Sequence, residues 1–239
     1  GNFREFGDIL STIGISGLDG LLLDLGISSR QVDDADRGFS FSKPGPLDMR
    51  MDPDAEITAA ELVNNCEEEE LARVFYEYGE ERASRRIASA IVNRRKEKLF
   101  ECTTDLASLV ESILPRRGKK HPATRVFQAL RIAVNNELRV LEEALAEVPK
   151  WLRPGGRLVI ISFHSLEDRI VKSYLKRCSR SVIDRPEWPE PKQNPDYCFK
   201  LVMQKGIIPS KEEVRNNPRA RSARLRVAER LPVGVSNAE

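Results

Sequence analysis

The chain has 239 residues, of which 40% are hydrophobic, 6% aromatic and 32% charged. That length suits one large domain or a core domain carrying a smaller insert, and the composition argues against a disordered chain. No apolar run approaches the roughly 20 residues of a membrane-spanning helix, and no secretory signal opens the chain. Cys66, Cys102, Cys178 and Cys198 are far apart and form no C-x-x-C pair, so no zinc site, no disulfide framework and a cytoplasmic location are expected. The formal charge of +2 averages two unlike parts: residues 1–80 hold 6 basic and 18 acidic side chains, the remainder 33 and 19. Such an asymmetry favours a nucleic-acid partner, the alternative being solvated helix faces of mixed charge.

In chain order, residues 3–13 carry apolar residues at helical spacing and stop at Gly14. Leu21–Leu25 form a short apolar run bounded by glycines, which predicts a strand buried on both faces, as in a parallel sheet. Residues 28–57 read as irregular. Thr58 and Glu61 form a capping box that opens a helix to about Gly79. Residues 80–98 predict a second helix with a basic face, and Thr103/Thr104 start a third that stops before Pro115. The basic loop 116–120 leads to Pro122, expected as the first residue of a long helix to about Lys150. Arg153-Pro154-Gly155-Gly156 predicts a turn, Arg157–Phe163 a strand, and Ser165-Leu-Glu-Asp168 the cap of a further helix. The proline-rich segment 184–197 reads as a surface loop, and segments near 198–208 and 222–229 as a terminal antiparallel pair. This order describes an α/β sheet interrupted by an all-helical insert at its carboxyl edge, where open α/β folds bind ligands.

Several residues carry potential chemistry. Asp24 ends the first strand and faces that crevice, the alternative being a turn cap. The run from Arg37 to Asp52 places Phe39, Phe41, Asp48 and Arg50 in a Gly/Pro-rich loop. It suits either base stacking with phosphate contacts or a loop pinned to the core by its phenylalanines. His121 and His164, the two histidines, each sit at a segment junction. No ligand spacing surrounds them, so a phosphate or base contact, or a plain structural hydrogen bond, is expected in place of a metal. Ser165 beside His164 and Asp168 is no catalytic triad, because sequence neighbours cannot line up as nucleophile, base and orienter. A G-x-G-x-x-G loop is missing.

The blocks LLLDLGISSRQVDDADRGFSF, GPLDMRMDP, YGEERASRRIASAIV, HPATRVFQALRIAVNNEL, PGGRLVIISFHSLEDRIVK and NPRARSARLRVAER together resemble one family. It is the ribosomal RNA small-subunit methyltransferase H family, bacterial enzymes that methylate the N4 amine of a cytidine in 16S rRNA. The resemblance runs from Gly1 to about Arg230. It implies an S-adenosylmethionine-dependent Rossmann-like core over 1–38 and 126–239, with a helical substrate-recognition insert over 39–125. Family members carry an upstream Gly-Gly-His cofactor loop and an acidic ribose contact with no counterpart here, so the resemblance implies an N-terminally truncated member lacking the first strands. The cofactor contacts that carry over are Phe3, Asp24 and Gln31.

On this reading Asp24 or Ser28, with Asp48 behind them, accepts a proton or hydrogen bond from the target amine. Phe39 or Phe41 stacks on the splayed base. Arg37, Arg50, Arg85, Arg86, Arg94, Arg95, Lys119, Lys120, His121 and Arg125 grip the RNA backbone, and His164 belongs to the same substrate-facing set. The partner is the small ribosomal subunit, with no membrane and no metal, and exposed sheet edges allow a homodimer. Two alternatives stay open: an amino-methyltransferase acting on DNA or another RNA, and a non-catalytic RNA-binding fragment.

Overall fold

The structure is a computed structural model that describes residues 2–115 and 121–232. The basic loop 116–120, with Lys119 and Lys120, lies outside the described residues. The chain divides into two compact units, one made of Gly1–Gly26 with Leu138–Glu239, the other of Ile27–Glu137.

In the first unit, helix α1 (Phe6–Thr12) follows a 3-10 turn over Phe3–Glu5 and ends where Gly14 adopts φ +75°. Strand β1 (Leu18–Asp24) comes next. The second unit then contributes helices α2 (Ser29–Asp33), α3 (Ala59–Asn65), α4 (Glu68–Glu77), α5 (Ser84–Arg95), α6 (Thr103–Ile113) and α7 (Thr124–Asn135). The chain returns to the first unit along helix α8 (Glu137–Trp151), followed by β2 (Leu152–Ser162) and α9 (Ser165–Cys178). Strands β3 (Val182–Ile183), β4 (Lys192–Gln193) and β5 (Phe199–Leu201), helix α10 (Lys211–Asn216) and strand β6 (Arg224–Arg230) complete it.

The main sheet has the order β1-β2-β6-β5, with β1 parallel to β2 and the other two pairings antiparallel. The fold is therefore mixed α/β with a parallel pair. Its core joins Leu23 from β1, Leu25 just after it, Leu158 and Ile160 from β2, and apolar faces of α8 and α9 through Leu145 and Val171. Each such fully buried side chain contributes roughly 1.5–3 kcal/mol relative to exposure. In the second unit Val63, Phe75, Ile87, Ile91, Leu106 and Leu130 centre a separate core shared by α3 to α7.

Six local expectations are corrected. First, β1 is not buried on both faces: Leu22 is 61% exposed, because β1 is the edge of the sheet and no described strand pairs with its outer side. Second, the helix expected over 58–79 breaks at Cys66 and Glu67, both extended. Arg95 donates to the carbonyls of Val63 and Cys66 at the end of α3, and Glu68, Glu69 and Glu70 meet the positive end of α4. Third, the long helix from Pro122 starts at Thr124 and breaks at Asn136, whose φ of +51° is a left-handed conformation that asparagine tolerates. Fourth, His164 and not Ser165 caps α9. Fifth, the segment 184–197 is not all loop, since β4 pairs with β3. Asn194 ties the chain beside that pair to the carbonyls of Arg177 and Arg180. Sixth, the turn expected at 153–156 is absorbed into β2 by a register shift between Leu18 and Gly20.

Candidate functional site

In the first unit, the parallel pair places Asp24 opposite Ile161, and the amide of Leu25 continues the ladder to the Ile161 carbonyl at 2.9 Å. The backbone turns away at Gly26, where φ is +89°, a conformation that favours glycine. Asp24 thus projects at the carboxyl end of a parallel strand. Its side chain is exposed, and among the described residues it has no hydrogen-bond or ion-pair partner. A free carboxylate there can accept hydrogen bonds from an amine or a hydroxyl. Phe3 is 39% exposed in the 3-10 turn of the same unit.

The other side of the parallel pair ends at Phe163 and His164. The Glu167 carboxylate accepts from the amides of Phe163 (2.8 Å) and His164 (3.2 Å), and His164 Nδ1 accepts from the amide of Glu167 (3.3 Å). This is a complete capping box, with the side chain of His164 only 10% exposed. The structural-hydrogen-bond alternative for His164 is the one the geometry displays.

In the second unit, Ser28 caps α2 and is locked in a reciprocal box with Gln31, Oγ accepting at 3.2 Å and the Gln31 Oε1 accepting at 2.9 Å. Together with Arg37, Ser28 and Gln31 line a cavity of about 310 Å³. The loop that follows is strongly self-bonded. Arg37 donates to the carbonyls of Arg50 (2.7 Å) and Met51 (3.1 Å) and lies over the ring of Phe39. Arg50 grips both oxygens of Asp48 (3.0 and 2.8 Å) and reaches the Ala55 carbonyl. That side-chain hydrogen bond from Arg50 holds the Asp48 carboxyl below its ordinary range despite partial burial. Between them Met49 is fully buried at φ +63°, a strained conformation for a residue with a Cβ.

The same loop is closed by Gly38, at φ +71°. A Cβ there would stand 2.2 Å from the Pro46 carbonyl oxygen. Asn135, 84 residues beyond Met51, clamps it by donating to the Met49 carbonyl (2.8 Å) and accepting from the Met51 amide (2.6 Å). Phe39 is buried, and Phe41 packs its ring 4.7 Å from both His121 and Phe127. The geometry displays the pinned-loop alternative for both phenylalanines.

The cations named from the sequence are largely engaged within the second unit. Arg86 donates to the Ile113 carbonyl, Arg94 to that of Lys98, and Arg95 caps α3. His121 accepts from the Ala123 amide and lies 3.6 Å from Glu111. Arg125 lies 3.8 Å from the buried Glu81, whose other oxygen accepts from Ala83. Arg85 is exposed. Glu81 and Asn135 were not singled out by sequence. Asn135 sits in the pair Asn135-Asn136, inside a stretch whose apolar period continues past it; the tolerance of asparagine for a left-handed backbone is the one local signal there.

Within the first unit, an open sheet with a parallel pair and a free carboxylate at its carboxyl edge define the class of the protein as α/β. Comparison with known proteins gives the chemistry. Residues 1–231 match the MraW methylase family. The proteins named ribosomal RNA small subunit methyltransferase H from Halothermothrix orenii, Magnetococcus marinus and Caulobacter vibrioides are 49%, 50% and 50% identical to the chain. These alignments cover 96%, 96% and 97% of this chain and 75%, 74% and 75% of the relatives. The chain belongs to the MraW methylase family and is a methyltransferase.

Proposed function

We propose that the chain transfers a methyl group from S-adenosylmethionine to the N4 amine of a cytidine in 16S rRNA of the small ribosomal subunit. The names of its relatives support the rRNA substrate. One structural observation carries the chemistry. Of the three candidate proton acceptors, Asp48 is held by Arg50 and Ser28 by its capping box, while Asp24 is exposed and unpartnered at the strand end. The exposed carboxylate and the exposed ring of Phe3 also suit a cofactor bearing an amine, hydroxyls and a flat base, so these residues of the first unit fit S-adenosylmethionine.

When bound, the cofactor supplies an electrophilic methyl on a sulfonium. The N4 lone pair of cytosine is delocalised into its ring, so the protein must aim it and raise its electron density. In this reading the Asp24 carboxylate does so by accepting a hydrogen bond from the amine and then its proton. The helical unit over Ile27–Glu137 recognises the RNA around the target. Its tightly bonded loop at Arg37–Met51 gives it a fixed surface, with Arg85 among the free cations.

The test is calorimetric titration of S-adenosylmethionine into the chain and into Asp24→Asn, with methyl-transfer rates for both. The expected result is cofactor binding by the wild type and a loss of about 10²–10⁴-fold in kcat for the variant. A wild type that is folded yet binds no cofactor would overturn the catalytic reading and leave an RNA-binding fragment. An unchanged kcat in Asp24→Asn would remove Asp24 from the reaction.

A further inference from the structure

Most cations named from the sequence are tied to the protein's own carbonyls or carboxylates. A different set is free, and it converges on one cavity of the first unit. That cavity, of about 540 Å³, lies between α9 and the strand pair β5–β6. Lys172, Lys176 and Arg180 line it from α9 and the residues after its end, and Lys200 lines it from β5. No aspartate or glutamate is among the lining residues. Among the described residues none of these four cations has an ion-pair or hydrogen-bond partner for its side chain.

The neighbouring cations behave differently. Arg226 also lines the cavity but is bonded to Asp168 through two contacts, at 2.7 and 3.1 Å. Arg177, on another face of α9, pairs with Asp196 at 3.3 Å and lies over the Tyr174 ring. So Arg226 and Arg177 are neutralised by nearby aspartates, while Lys172, Lys176, Arg180 and Lys200 are not.

Ordinary helix electrostatics do not account for the set. Lys176 lies in the last turn of α9, where a positive charge complements the helix dipole. Lys172 is a full turn earlier and stands at i, i+4 from Lys176, a like-charge spacing that destabilises an isolated helix. Lys200 sits on a strand, where no such dipole acts. The repulsion among the four is relieved by an anion with several charges. Successive cations on α9 are spaced by about 6 Å along its axis, one per four residues, which lets neighbouring phosphates of one strand each meet a cation. Apolar and aromatic surface from Tyr197 and Met203 beside them suits a sugar or base more than a naked inorganic ion.

We infer that this cavity is a second nucleic-acid contact, outside the helical unit, that binds the phosphodiester backbone of the RNA substrate through Lys172, Lys176, Arg180 and Lys200. The inference rests on the rRNA reading above and adds a docking site to it. It places RNA contact on the α/β unit as well as on the helical one.

The experiment measures binding of a fluorescent single-stranded fragment of 16S rRNA to the full chain at a series of KCl concentrations. It compares the wild type with Lys172→Ala/Lys176→Ala/Lys200→Ala and with the charge reversal Lys176→Glu, all matched for circular dichroism and thermal midpoint. Loss of three phosphate contacts is expected to flatten the slope of log K against log salt by about 2, at about 0.7 per contact. Lys176→Glu is expected to weaken binding while leaving the fold intact. A parallel titration with pyrophosphate tests for a free-anion site.

An unchanged RNA slope in both variants overturns the inference, and so does a wild type that binds no RNA. Pyrophosphate binding that the triple variant abolishes, with the RNA slope unchanged, overturns it in favour of a small-anion site. Failure of the proposed activity is separable. A wild type without methyl transfer whose RNA slope still exceeds that of the triple variant refutes the activity and supports the cavity. Normal methyl transfer with equal slopes refutes the cavity alone.

Discussion

Asp48 and Asp24 are both carboxylates within conspicuous sequence blocks, yet their surroundings set them to different work. Asp48 accepts three hydrogen bonds from Arg50, one from its amide and two from its guanidinium. The pair fixes the turn around the strained, buried Met49. Its pKa in the folded chain lies below the unfolded value, so its stabilising contribution is complete above about pH 4 and is lost as the pH falls through the depressed value. We therefore expect Asp48→Asn to be less stable than wild type at pH 7, with the difference shrinking below about pH 4. Urea unfolding at stepped pH checks this. A difference that persists undiminished at low pH would show that the carboxylate acts by shape and not by charge. Asp24 has no such partner, which is why its role is assigned to the ligand.

The ends of elements show what a sequence reveals of its own structure and what it conceals. His164 caps α9 through Nδ1, while Glu167 returns the bond to two amides. His164→Ala is expected to destabilise the chain by about 1 kcal/mol in urea unfolding, with His164→Asn restoring most of it. If His164→Ala instead left stability unchanged and weakened RNA or cofactor binding, the residue would belong to the ligand site.

The Thr58–Glu61 box, the start of α6 at Thr103 and the stop at Gly14 were legible because each is a local signal within one turn of chain. The breaks at Cys66 and Asn136 were not, because the apolar period runs through both. What stops α3 includes a guanidinium 29 residues away on α5. The candidate site was legible in the same uneven way. The position of Asp24 followed from its strand, whereas the engagement of Arg37, Arg50 and Arg95 with backbone carbonyls depends on long-range packing that spacing does not encode. Lys172 and Lys176 share one helix at a spacing the sequence displays, but only the cavity brings Arg180 and Lys200 to them.

At the scale of the whole molecule, the two units divide the requirements of a reaction on RNA. The α/β unit supplies a parallel strand ending in a free carboxylate, and the helical unit supplies a rigid, self-bonded loop on a core of its own. Neither feature specifies a methyl acceptor; the family relationship supplies the methyltransferase class, and the acceptor amine is part of the proposal. Among the described residues no helix is long and apolar enough to cross a membrane.

The most direct test incubates the chain with S-adenosylmethionine and small ribosomal subunits whose rRNA lacks base methylation, then digests the RNA for nucleoside mass spectrometry. The expected result is a cofactor-dependent gain of one methyl group on the N4 position of a cytidine in 16S rRNA, lost in Asp24→Asn. Methyl transfer to a different nucleoside, to DNA only, or no transfer by a folded chain that binds the cofactor would contradict it.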